Sequence, residues 1–161
     1  MRVLVTGNLG FVGNVLVKRL LQENFEVLGL DVGFYPQGFL ESEDSNIYQI
    51  KKDLRKIVFE DLNDVHAICH LAALSNDPLG QINPELTEEI NFLATTNLAK
   101  LAKKANVKNF IFSSSCSSYG VNEELVNEDS NLEPLTAYAK SKVNSEKEIL
   151  KLNDEEFTVT N

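Results

Sequence analysis

Tyr138 and Lys142 stand four residues apart in "LTAYAKSKVNSEKEIL" (135–150), a segment whose pattern predicts a helix from about 137 to 152. That spacing puts both side chains on one helix face. A free tyrosine, with a pKa near 10, is a poor base at neutral pH. An ammonium about 4 Å from the phenolate is worth roughly 4 kcal/mol at an effective dielectric near 20, enough to bring the phenol toward neutrality. So poised, the pair can draw a proton from a sugar or alcohol hydroxyl while a hydride leaves for a nicotinamide. The same spacing also arises on exposed helix faces, where it does no chemistry.

A second hydroxyl-rich stretch is "NFIFSSSCSSYG" (109–120), in which Phe110, Ile111 and Phe112 read as a buried strand followed by a run of serines and Tyr119. Open α/β sheets bind ligands outside the carboxyl ends of their strands. A hydroxyl there can hydrogen-bond a substrate oxygen as its charge changes. Only part of the row is needed for that; the remainder reads as polar loop.

The third constellation is "VLVTGNLGFVGNVLVKRLL" (3–21), which places Gly7, Gly10 and Gly13 between a strand and a helix. Glycines there allow a tight turn and close approach to a pyrophosphate at the positive helix N-terminus. The spacing G-x-x-G-x-x-G, by itself an ordinary βα turn, gains meaning from its place in the first βα unit. Asp31 ends the next strand, where a carboxylate accepts hydrogen bonds from an adenosine ribose and repels a 2′-phosphate. No Arg or Lys follows it in "DVGFYPQGF" (31–39), which favours NAD over NADP.

These groups need a frame. Strands are expected at 2–6, 25–31, 46–53, 65–73 and 108–114, and helical patterns at 11–22, 54–63 and 84–106, with Asn83 capping and Pro84 at the first helical position. The β-α-β-α-β order predicts an α/β fold, a doubly wound parallel sheet with right-handed crossovers. "EEFTVTN" (155–161) begins like one more strand, so we expect a single, incomplete domain over 1–161 that stops before a C-terminal substrate region.

Composition removes other classes. A net charge of −9 over 161 residues argues against nucleic-acid binding, which needs a basic face. Cys69 and Cys116 are too few for a disulfide framework. The opening "MRVLVTGNLG" is too short in apolar run for a secretory signal, and a membrane span needs about 20 apolar residues. A cytoplasmic location is expected. His66 and His70, four apart on a predicted strand, lack a third ligand, so no metal is expected.

"TGNLGFVG", "LD" (30–31), "KDLR" (52–55), "HLAA" (70–73), "SSSCSSYG" and "YAKSK" (138–142) occur in the order found in extended short-chain dehydrogenases/reductases. The chain most resembles their NAD-dependent nucleotide-sugar epimerases/dehydratases of the UDP-glucose 4-epimerase type. The resemblance implies a Rossmann-like fold and NAD as cofactor. It makes the glycine turn, with Phe11 and Val12, the pyrophosphate site, and Asp31 the ribose ligand. Asp53 and Leu54 match residues that hold adenine. Leu71, Ala72 and Ala73, with Leu74 and Ser75, match a strand end along the cofactor, and Asn91 a helix asparagine of the NAD site. Tyr138 is similar to the family base, Lys142 to the partner that lowers its pKa and holds the nicotinamide ribose, and Ser115 to the catalytic serine; Ser117 assists at the substrate. The implied reaction is epimerisation of a nucleotide-sugar through a transient keto intermediate. A net oxidoreductase on such a sugar, or a non-catalytic NAD-binding module, stays open.

Departures from the pattern narrow the chemistry. Related dehydratases carry an Asp-Glu pair where this chain has Cys116 and Ser117, so dehydration is not expected. Cys116 lies three rather than two residues before Tyr119 and is expected to pack. The acidic stretch 122–133 reads as a solvated loop over the site mouth, and the charged residues at 140–151 as a solvated helix face. The resemblance further implies a homodimer through helices 84–106 and 137–152.

Overall fold

The computed structural model describes residues 1–34, 47–123 and 125–161. Among them, β1 (Arg2–Thr6), β2 (Glu26–Asp31), β3 (Tyr48–Lys51), β4 (Ala67–His70), β5 (Asn109–Phe112) and β6 (Thr158–Thr160) form one sheet in the order β3-β2-β1-β4-β5-β6. Every pairing is parallel. The chain winds outward from β1 to β3, then returns to lay β4 against the other side of β1. The crevice at that reversal lies outside the carboxyl ends of β1 and β4. This is the expected Rossmann-like, doubly wound sheet.

Side-chain alternation along β1 decides what covers each face. Val3 and Val5 pack with Val17, Leu16 and Leu20 of α1 (Phe11–Gln22). Leu4 points the other way, into a cluster with Leu98, Ala99 and Ala102 of α4 (Ala94–Lys104). Period-two strand geometry thus divides one run of apolar residues between two layers. The alanines on α4 let the helix lie close to the sheet, and Phe110 and Phe112 of β5 fill the space beside it. Burying each such large side chain contributes about 1.5–3 kcal/mol.

The predicted helix over 84–106 is one continuous rod in three parts: α3 (Pro84–Thr87), a π segment (Glu88–Leu93) and α4. Asn83 caps it, accepting from the Leu86 N–H at 3.0 Å. The predicted 54–63 helix is instead two 3₁₀ turns, Leu54–Lys56 and Phe59–Leu62. Extended backbone at Ile57 separates them, and Asp53 and Asp61 take the N–H groups of Arg55 and Val58. Helix α2 (Asp77–Ile82) was not expected, since its six residues include Pro78 and Gly80. Helix α5 (Ala137–Leu150) and β6 lie where predicted. The predicted third strand begins at Asn46, outside the described residues; its core is β3. No helix among the described residues is long and apolar enough to cross a membrane.

Candidate active site

Backbone hydrogen bonds carry the strand ends into one edge. Gly7 N–H binds the Leu30 carbonyl at 2.8 Å, Leu71 N–H that of Thr6 at 3.1 Å, and Ser113 N–H that of His70 at 3.1 Å. The glycine turn, Asp31, the Leu71–Ser75 segment and the serine row therefore share the carboxyl edge of the sheet.

Gly7 adopts φ +72°, and a Cβ on it would come within 2.8 Å of the Ala72 nitrogen across the β1–β4 reversal. A Cβ on Gly13 would lie 2.1 Å from the Gly7 carbonyl oxygen, so α1 packs onto the turn only with glycine there. No side chain caps α1 at Gly10, and Phe11 and Val12 of its first turn are exposed. The first-turn N–H groups of such a helix are suited to an anion. The turn's fourth member, Asn8, is buried and pairs with Gln49 of β3 at 2.7 Å. Asp31 accepts from Gly33 N–H at 2.8 Å and from Leu9 N–H at 3.3 Å, tying the tip of β2 to the glycine turn. Residues 35–39 of the stretch after Asp31 lie outside the described residues.

The remaining predicted cofactor residues divide. Leu71, Ala72, Ala73 and Leu74 are partly exposed at the reversal and Ser75 beside them is exposed. Leu54 is buried in the core, so its side chain serves packing. The Asp53 carboxylate caps its 3₁₀ turn and pairs with Arg55 at 2.7 Å; the guanidinium holds it below the usual carboxylate range. Asn91 is 1 % exposed, and its amide clamps Leu74, accepting from the N–H at 2.8 Å and donating to the carbonyl at 3.1 Å. Its commitments are to the protein, and it acts on the edge through Leu74.

Tyr138 and Lys142 do share a face of α5: the Lys142 Nζ lies 5.8 Å from the Tyr138 ring centre. The amine is buried, sits 4.6 Å over the Phe112 ring and donates to the Ser113 carbonyl at 2.8 Å. Burial lowers its pKa to about 8, so it remains a cation at neutral pH. The expectation of a phenol drawn toward neutrality needs correction. Partial burial pushes Tyr138 up, Asp77 and Cys116 push the same way, and only the Ser115 hydroxyl opposes them. The lysine charge is taken up by Ser113 and Phe112 instead.

Ser115 caps a 3₁₀ turn over Cys116–Tyr119, its hydroxyl accepting from the Ser117 N–H at 3.2 Å. That turn directs Cys116 outward, so the residue expected to pack is an exposed thiol. Ser118 is buried with no partner for its hydroxyl among the described residues, a packing rather than a binding position. The acidic stretch 122–133 is largely exposed and tied to the turn by the Glu133 N–H, which donates to the Ser118 carbonyl at 2.9 Å; Glu124 lies outside the described residues.

Two groups behind the edge escaped the sequence reading. His70, weighed there only as half of a metal pair, bridges Thr6 Oγ1 at 2.6 Å and Thr95 Oγ1 at 2.7 Å. Burial, assisted by the Lys142 charge, lowers its pKa to about 3 and keeps it neutral. His66 sits apart, accepting from the Arg2 N–H. Asp77 of α2 is the second, and it accepts from Ser117 and Thr136. The polar stretch Ser75–Asp77, just after the Leu71–Leu74 segment, was the available signal.

Residues 3–161 match the profile described as "NAD dependent epimerase/dehydratase family". A UDP-glucose 4-epimerase of Lactobacillus helveticus is 31% identical over 150 residues, covering 91% of this chain and 46% of that protein. A D-erythronate dehydrogenase of Haemophilus influenzae is 35% identical over 125 residues, covering 74% and 39%. The solved structure of MoeE5 in complex with UDP-glucose and NAD superposes with a TM-score of 0.86 at 26% identity, covering 99% of this chain and 52% of that one. The chain spans about half the length of the relatives it matches.

Proposed function

The chain belongs to the NAD-dependent epimerase/dehydratase family, and from that premise we propose that it is the NAD-binding part of an epimerase acting on a nucleotide-sugar. One observation carries the reading. Ser115, Tyr138 and Lys142 gather beside the carboxyl end of β5, on the same sheet edge as the glycine turn and Asp31.

Gly7, Gly10 and Gly13, with Phe11 and Val12, would hold the pyrophosphate against α1. Asp31 would hold the adenosine ribose, Asp53 and the backbone of Leu54 would flank adenine through the 3₁₀ turn, and Leu71–Ala73 would lie along the cofactor with Asn91 bracing them. NAD, when bound, accepts and returns a hydride. Tyr138 takes the proton of a sugar hydroxyl, Ser115 hydrogen-bonds that oxygen, Lys142 holds a positive charge on the same helix face, and Ser117 meets the sugar. Burial keeps the phenol in its acid form here, so the reading requires ligand binding to bring positive charge to it. A cytoplasmic setting accompanies this reading. So does a homodimer through the 84–106 and 137–152 helices, where Leu93 and Leu150 are exposed.

Calorimetric titration of the 161-residue chain with NAD and NADP tests the cofactor half. Binding of NAD, even weak, with none of NADP supports it; equal binding of both removes the role of Asp31. For the reaction, a polypeptide that adds the half present in the relatives is mixed with UDP-, GDP-, CDP- and dTDP-sugars. Inversion without accumulation of NADH is the expected result. Stoichiometric NADH would favour a net oxidoreductase, a reading supported by the likeness to a D-erythronate dehydrogenase. A chain that binds NAD without turnover in either form would be a cofactor-binding module.

A further inference from the structure

Asp77 joins three elements around Tyr138. Its Oδ2 accepts from the Ser117 hydroxyl at 3.0 Å, and its Oδ1 from the Thr136 hydroxyl. Thr136 caps α5, its Oγ1 accepting from the Ala139 N–H at 3.0 Å. Ser117 lies in the 3₁₀ turn after β5. One carboxylate therefore links the first turn of α2, the turn that carries Ser115 and Ser117, and the start of the helix that carries Tyr138.

A second contact presses α2 against Tyr138 itself. A Cβ on Gly80 would come within 3.0 Å of the Tyr138 Cβ and 3.3 Å of its nitrogen, so the two helices meet there at closest approach. The Thr87 hydroxyl donates to the Gly80 carbonyl at 2.8 Å and adds a second tie to α2 at that glycine. The helix starts from Asn76 at φ 138° and ψ 159°, a conformation rarely adopted outside glycine. Strain of that kind persists only where surrounding contacts over-determine it. The bonds of Asp77 and the packing of Gly80 are such contacts.

We propose that Asp77 is a positioning residue of this site, holding the Ser117 and Thr136 hydroxyls and, through them, the placement of Tyr138 against the turn after β5. A carboxylate only accepts, and a serine hydroxyl has one proton to give. With that proton on Asp77, Ser117 presents only lone pairs to the crevice, so the group it meets there must be a hydrogen-bond donor. The identity of that donor as a sugar hydroxyl rests on the nucleotide-sugar reading; the link through Asp77 does not. The charged and titratable groups that bear on the phenol are Asp77 from α2, Cys116 from the 3₁₀ turn and Lys142 from its own helix.

The test is ring-¹³C tyrosine NMR of the 161-residue chain, with neither NAD nor sugar present and Tyr138 assigned by its loss in Tyr138→Phe. Asp77→Asn removes the negative charge and reverses one hydroxyl. The Tyr138 titration midpoint is expected to fall. A folded Asp77→Asn chain with an unmoved Tyr138 midpoint overturns the proposal. Ser117→Ala is expected to displace the Tyr138 resonance at constant pH, and Thr136→Ser, which keeps its hydroxyl, to leave it in place. Should Asp77→Asn not fold, an unmoved resonance in Ser117→Ala overturns the proposal instead. Neither measurement involves a cofactor, so its failure is separable from a failed NAD titration.

Discussion

The Lys142 ammonium lies 5.8 Å from the centre of the Tyr138 ring yet only 2.8 Å from the Ser113 carbonyl oxygen. The cation is therefore anchored first to the end of β5, with Phe112 beneath it at 4.6 Å, and only second to the phenol. Helix α5 thus presents two groups in fixed positions, and burial holds the phenol above its ordinary pKa and the amine below its own. A tyrosine already ionised there would be a negative charge in a half-buried site, which burial disfavours.

Tyr138→Phe separates proton transfer from binding. A positioned acid or base contributes about 10²- to 10⁴-fold to a rate, so turnover in a catalytically competent polypeptide is expected to fall by that much. Initial rates of sugar inversion by NMR measure it. A loss below tenfold would move the base elsewhere.

Lys142→Met tests the buried amine. Its folded pKa, about 8, lies below the usual 10.5. Between those values the unfolded chain binds more protons, so stability rises with pH, by up to about 1.4 kcal/mol per pH unit. Below pH 8 both states are protonated and this contribution is flat. Urea unfolding of the wild type from pH 8 to 10 is expected to show that rise, and Lys142→Met to lack it.

His70 acts at the acid end. With a folded pKa of about 3 against an ordinary 6.5, it is protonated first in the unfolded chain as pH falls. Its contribution to stability is intact above pH 6.5 and is lost progressively toward 3, by up to about 1.4 kcal/mol per pH unit. Acid unfolding of His70→Gln is expected to have a shallower slope than wild type between those limits, whatever its stability at neutral pH. Parallel slopes would mean that the Thr6–His70–Thr95 bridge opens to water before the chain unfolds.

How much of this was legible in the sequence depended on whether a residue's partner was near in sequence or only in space. Gly7, Gly10, Gly13 and Asp31 announce themselves because the turn they make is local. The apolar runs of β1, β2, β4 and β5 mark a sheet covered on both faces. The 54–63 segment has a helical spacing of apolar residues, but Asp53 and Asp61 compete for the backbone N–H groups and break it into turns. Helix α2 was hidden by Pro78 and Gly80, residues that read as loop until Tyr138, distant in sequence, is seen to require the glycine. Asp77 and His70 owe their places to Thr136 and Thr95, and no periodicity records those pairings. For Tyr138 and Lys142, helix spacing fixes only a shared face, whereas burial and the Ser113 carbonyl decide where the charge goes.

Gly13→Ala strikes the turn itself. The added methyl would stand 2.1 Å from the Gly7 carbonyl oxygen, a backbone atom that cannot rotate away. Overpacking of this kind typically costs about 1–3 kcal/mol, and here it also displaces α1 from the turn. Both a lower urea midpoint and loss of NAD heat in calorimetry are expected. Unchanged values would place the pyrophosphate away from α1.

Asp31→Asn addresses cofactor choice. Asparagine keeps the size of the side chain and one acceptor oxygen, so either the Gly33 or the Leu9 N–H bond can persist. It loses the negative charge, and with it both the stronger acceptor for a ribose hydroxyl and the repulsion of a 2′-phosphate. A hydrogen bond to a charged group is worth about 1.5–3 kcal/mol against about 0.5–1.5 kcal/mol for a neutral one; the difference, about 1–1.5 kcal/mol, corresponds to a roughly fivefold to tenfold weaker Kd for NAD. NADP, freed of the like charge, is expected to bind no worse than before, so the NAD-to-NADP affinity ratio falls toward one. Calorimetric Kd values for both dinucleotides on both chains give that ratio directly. If it is unchanged while the glycine turn keeps its amide chemical shifts, the carboxylate at the end of β2 serves the turn alone, and discrimination between the two cofactors lies with another residue.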